Sequence, residues 1–163
     1  MPDFNAAIAV VLQHEGSAYV PDDAGQGPSK YGILLKTYRG LFSNATSQDI
    51  QNLTEGQAVE FYRSQFWVLY HVGFIDDQTL ATKVLDLLVN VGPIVIRWLQ
   101  KVVGVPIDGV LGTKTACAVN VLPPAQVLQA LQATAASYYK SIAAENPELY
   151  AADLPEWLAR LAS

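Results

Sequence analysis

Residues 3–34, DFNAAIAVVLQHEGSAYVPDDAGQGPSKYGIL, contain the change of pattern that decides the fold. Up to Glu15 the apolar residues recur at helical spacing, with Phe4, Ile8, Val11 and Leu12 on one face. Asp3 or Asn5 can cap the start, and Gly16 supplies a stop. From Gly16 to Gly32 the periodicity gives way to a stretch rich in glycine, proline and aspartate. This predicts a turn-rich excursion with room for a short hairpin. A loop this long inside a small domain is usually functional. The segment thus predicts a helix that ends at a working loop.

Outward from this segment the chain reads as helix after helix. Short helices are expected near 34–42 and 47–53, the second opened by Ser47. Thr54 with Gln57 reads as a capping box for a helix over 55–69, whose apolar face is Ala58, Phe61, Tyr62, Phe66 and Leu69. Residues 77–91 turn Leu80, Val84, Leu87, Leu88 and Val91 inward, and Gly92-Pro93 ends that helix. Pro93 suits the first turn of the next, which runs to about 103. A turn at PIDGVLG precedes a helix capped by Thr113. Pro123-Pro124 then opens a long helix to about 145, and a last short one includes Trp157. The expected fold class is mainly α, with one irregular loop or short β-hairpin after the first helix.

Composition narrows the function. Hydrophobic residues are 51% of the 163 and charged residues 15%. Even so, stretches such as VLDLLVNVGPIVIRWL are broken by Asp86, Asn90, Pro93 and Arg97, short of the ~20 apolar residues that a membrane helix needs. They read as core helices, with no stable membrane insertion. A net charge of −5 argues against a nucleic-acid partner, because phosphate binding relies on clustered Lys and Arg. The single Cys117 excludes an internal disulfide, and no Cys/His cluster suggests a metal site. No cofactor is expected, and the chain is expected to be a monomer. The N-terminus lacks a basic leader and its apolar stretch is amphipathic, so it does not read as a signal peptide.

Glu15 is the most informative position. It continues the stripe of Phe4, Ile8, Val11 and Leu12, so a carboxylate is set on the buried face of the helix. It also lies in the last turn, at the negative end of the helix dipole. Desolvation and that dipole both work against the ionised form, which suits a carboxyl that must hold a proton until it donates it. Glycosidic cleavage needs such an acid beside the leaving oxygen. A boundary glutamate with its head turned to solvent fits the same pattern.

Asp22 and Asp23 follow by seven and eight residues, near enough for a hairpin to bring one carboxylate opposite the helix end, and Ser29 could position a water. Asp-Asp between Pro and Gly is also ordinary turn chemistry. Asp86 and Asn90, one turn apart in an aliphatic helix, must find hydrogen-bond partners. They could line a sugar cleft, or Asp86 could pair with Lys83 or Arg97 while Asn90 caps a neighbouring helix. Tyr19 and Tyr31, in the excursion, are the candidates for a substrate wall, whereas Trp67 and Trp98 fall in core stripes. His14 adjoins Glu15 but points about 100° away round the helix.

The run HEGSAYV (14–20), followed by PDDAGQGPSKYGI (21–33), resembles the N-terminal signature of glycoside hydrolase family 108, the bacterial and phage N-acetylmuramidases. TEGQAVEFYRSQFW (54–67), DLLVNVGP (86–93) and IDGVLGTKT (107–115) resemble further segments of that family, the last belonging to its companion peptidoglycan-binding region. The resemblance implies a lysozyme-like helical fold and cleavage of the β-1,4 bond between N-acetylmuramic acid and N-acetylglucosamine. It places the catalytic acid on Glu15 and a hydroxyl residue on Ser29. The loop departs from the family pattern at Gly16-Ser17, at AGQGPS and at Leu34, so both Asp22 and Asp23 stay candidates for the aspartate.

The resemblance also implies a division into a muramidase region, 1–92, and a helical peptidoglycan-binding-like segment, 93–163, packed on it as one compact unit. The expected partner is the glycan strand of peptidoglycan. Synthesis in the cytoplasm without a signal peptide, and action on the wall in the periplasm or outside the cell, would call for export through a holin or a secretion system. A lytic transglycosylase using the same acid, and a non-catalytic wall-binding protein, are the alternatives.

Overall fold

A computed structural model describes residues 1–163. The first helix, α1 (Phe4–Glu15), is capped by the Asp3 side chain, which accepts from the Asn5 N–H, and it buries Phe4, Ala7, Ile8 and Val11. A three-stranded antiparallel sheet follows, formed by β1 (Tyr19–Val20), β2 (Ser29–Lys30) and β3 (Ile33–Leu34) in that order. Tyr19 faces Lys30 across the first pair, and Lys30 faces Ile33 across the second. The excursion is thus a small sheet with two connections.

Short helices α2 (Leu35–Tyr38) and α3 (Ser47–Gln51) lead into α4 (Glu55–Tyr62). The cap of α3 is Thr46, not Ser47: its hydroxyl takes the Asp49 N–H while Asp49 returns a bond to the Thr46 backbone. The Thr54–Gln57 capping box forms as the spacing predicts. Past Tyr62 the helix does not continue to 69 in α form but widens into a π-helical turn over Arg63–Val68. There Trp67 meets Phe4 edge-on, with ring centroids 5.4 Å apart.

The central element is α5 (Gln78–Val91), capped by Asp77 and buried along Leu80, Ala81 and Lys83 through Leu88. A helix covered on every side is a core helix, which accounts for its nearly unbroken aliphatic run. Around it lie α1, α6 (Ile94–Val103) and the long α8 (Pro124–Glu145). Between them, α7 (Thr113–Asn120) starts from Gly112 without a side-chain cap, so Thr113 is its first residue and not its cap. The chain closes with α9 (Pro147–Tyr150) and α10 (Leu154–Ala162), and α10 packs on α8. One hydrophobic core runs from Phe4 in α1 to Leu161 in α10. The architecture is mainly α with one small sheet. No helix is long and apolar enough to cross a membrane.

Candidate active site

Glu15 is the last residue of α1, and the chain leaves it through Gly16, whose N–H closes on the Leu12 carbonyl. The carboxyl does not turn to solvent: its side chain is 17% exposed. It lies on the connection between β2 and β3, where Tyr31 (φ +53°) and Gly32 (φ +74°) both have positive φ. A two-residue hairpin link of this kind matches the twist of its strands, and glycine suits it best. At Gly32 a second demand applies. A Cβ there would overlap Oε2 and the carboxyl carbon of Glu15. The glycine is therefore needed both for its backbone angle and for the seat it gives the carboxyl.

On its other side Glu15 meets a cation. Arg160 of α10 donates from Nη2 to Glu15 Oε1 at 2.7 Å, and from Nη2 and Nε to Asp86 Oδ1 at 2.9 and 3.1 Å. The apolar seat expected from the helix pattern is thus an ion pair, supplied from 145 residues along the chain. Burial opposes the charge on Arg160, but Asp86 and then Glu15 outweigh it, and the guanidinium is held protonated more firmly than usual. Burial pushes the Tyr62 phenol well above its ordinary range, and the Glu15 charge adds to the effect. The neutral Tyr62 hydroxyl donates to the Tyr31 carbonyl at 2.7 Å, pinning the hairpin link from beneath.

Asp86 is a candidate for sugar binding whose side chain is 2% exposed, with Oδ1 bonded to Arg160. It also accepts from His14 Nδ1 at 2.9 Å and lies 3.8 Å from Lys83 Nζ. An anion inside an aliphatic helix has to be neutralised, and these groups do so. Of the two cations proposed for it, Lys83 is adjacent. Arg97 is not a partner: it donates to the Ile107 carbonyl. Asn90, one turn on, is exposed and accepts from the Tyr139 hydroxyl of α8.

The sheet separates the two aspartates. Asp23 Oδ2 accepts from the buried Ser29 hydroxyl at 2.7 Å, which joins the loop to β2. Asp22 is exposed and accepts from the Gly27 N–H at 3.0 Å, a turn-closing role. Tyr19 packs against the small cluster of Leu35, Ala45 and Ile50. Tyr31 is half-buried against the main core, with Lys30 Nζ 5.5 Å from its ring centroid.

Sequence reasoning did not single out Arg160, Tyr62 or Gly32 as parts of the site. The one available signal was Asp86, whose burial among aliphatic residues demands cations without saying which. No cluster of three or more His, Cys, Asp or Glu side chains forms a metal-binding group.

The arrangement thus offers a half-buried carboxyl against a hairpin link, and on the same small sheet a second carboxylate bonded to a hydroxyl. The family model of glycosyl hydrolase 108 matches residues 8–92, a span that includes α1 from Ile8 onward, the sheet and α5. No curated protein matches the chain in sequence. Among solved structures, SagA of Brucella abortus is similar at 25% identity with a TM-score of 0.77, and the match covers 98% of this chain and 93% of that one.

Proposed function

Because the chain belongs to the glycosyl hydrolase 108 family, and so to the glycoside hydrolases that act on peptidoglycan, we propose that it is a muramidase cleaving the β-1,4 bond between N-acetylmuramic acid and N-acetylglucosamine. Glu15 is the general acid, donating its proton to the leaving oxygen as positive charge develops on the sugar. The observation that carries this reading is the seat of Glu15 on the hairpin link at Gly32, in the same sheet that holds the Ser29–Asp23 pair. That pair can hold a water or face the oxocarbenium-like transition state, which a hydrolase needs and a lytic transglycosylase does not.

Asp23 fits the partner role better than Asp22, whose carboxylate closes its own turn. Tyr19, Tyr31 and Asn90 are the more accessible candidates for sugar contacts, and Asp86 the most buried. The region 1–92 carries the chemistry and 93–163 the peptidoglycan-binding-like segment. Action on the wall as a monomer, exported through a holin or a secretion system, completes the proposal.

Product analysis tests it. Digestion of purified peptidoglycan should release fragments with reducing-end muramic acid. Fragments ending in 1,6-anhydro-muramic acid would make the protein a transglycosylase, and intact glycan strands would leave only wall binding.

A further inference from the structure

The matched family segment ends at residue 92, yet the carboxyl of Glu15 is bonded to a residue of the last helix. We propose that Arg160 is a positioning residue for Glu15, held in place by Asp86, so that α10 completes the active site. This rests on the reading of Glu15 as the acid.

Three observations support it. First, the guanidinium is used as a fork: Nη2 bridges Glu15 and Asp86, and Nε adds a second bond to Asp86. A planar, delocalised donor set fixes direction as well as charge, which a single ammonium does not. Second, α10 is itself clamped at this point. The buried Lys83 of α5 donates to the carbonyls of Arg160 and Ser163 at 2.9 and 3.0 Å, and the Gln132 amide of α8 donates to the Leu161 carbonyl. Third, Glu15 is held from two sides. Gly32 lies in contact with its Oε2, and Arg160 binds its Oε1, so neither oxygen can swing without breaking a contact.

Arg160 is the one cation bonded directly to the Glu15 carboxyl, and Asp86 of α5 holds it from behind. Removing Arg160 should therefore loosen the carboxyl and lower kcat.

The test compares wild type, Arg160→Gln and Arg160→Lys on soluble peptidoglycan fragments, with the fold of each checked by circular dichroism and Tm. For Arg160→Gln the expected result is a fall in kcat on the order of 10–100-fold, the scale on which misplacing a reacting group is felt. KM should be unchanged. Arg160→Lys keeps the charge and loses the fork, so its kcat should fall several-fold at unchanged KM.

If Arg160→Gln does not fold, Arg160→Lys decides alone: a lower kcat at unchanged KM supports the proposal. Wild-type kcat in either folded variant overturns it, as does a raised KM with kcat intact. A Glu15→Gln control separates the two levels. If that variant stays active, the assignment of the acid fails. If it is inactive while both Arg160 variants match wild type, only the role of Arg160 fails.

Discussion

Two polar clusters, one centred on a buried amide and one on buried ion pairs, show how differently sequence can specify an interior. The first is built on Gln100, which is fully buried in α6. Its amide nitrogen reaches Asp108 Oδ1 at 2.6 Å, the Val110 carbonyl at 3.0 Å and Thr115 Oγ1 at 3.2 Å, and its oxygen accepts the Gly109 N–H at 2.8 Å. Every partner lies within fifteen residues, in the turn between α6 and α7 or the first turn of α7. The amide serves that turn as a template, satisfying backbone and side chain at once. The charged cluster of Glu15, Asp86, Arg160, Lys83 and His14 draws on three helices, and one of its bonds spans 145 residues. A local network stabilises a turn. The long-range one holds the Glu15 carboxyl, and its geometry exists only once the whole core has closed.

The largest stability effect is expected where the charged cluster loses its hub. Asp86→Ala leaves Arg160 and Lys83 without their buried anion, and breaking a buried pair in this way costs about 3–5 kcal/mol. Denaturant unfolding should show it, and a loss near zero would mean that water already neutralises the site.

Gln100→Leu should cost less, about 1–3 kcal/mol, the range for leaving a group such as the Gly109 N–H without its partner. Its specific kcat should be that of wild type. A large loss of kcat in this variant would dissolve the contrast between the two clusters.

Gly32→Ala should have the smallest effect on stability, about 1–2 kcal/mol for a side chain forced into positive φ. Its effect on rate should be out of proportion, because the new methyl displaces the Glu15 carboxyl. A kcat equal to that of wild type would show that this seat does not matter.

The same contrast explains how much was legible in the sequence. The helices were readable wherever one face or one cap decided them: the stripe of α1, the Thr54–Gln57 box, and Pro124 at the start of α8. Thr46 was missed as a cap because Ser47 beside it has the same chemistry, and only the Asp49 side chain chooses between them. Winding also misled. The apolar spacing through Phe66 fits a helix, but packing Trp67 against Phe4 and Gly73 goes with a wider turn there.

At the site, the buried stripe marked Glu15 as unusual, the family resemblance gave it the acid's place, and turn residues marked the small sheet. Which of Asp22 and Asp23 lies beside Ser29 depends on how the loop folds onto β2. Asp86 was read as needing partners, and of the two cations named for it Lys83 is beside it. Periodicity shows that a face is buried and not what lies against it, and Arg160 is a lone cation in an apolar C-terminal helix with no local pattern to mark it.

The central claim is that the carboxyl on the hairpin link is the acid that breaks the glycan. The most direct measurement is the initial rate of peptidoglycan clearing by wild type and by Glu15→Gln, a change that keeps the shape and a hydrogen-bond acceptor for Arg160 but removes the transferable proton. The account predicts a folded variant, with a Tm near that of wild type, whose clearing falls to background. Equal rates from the two proteins would contradict it.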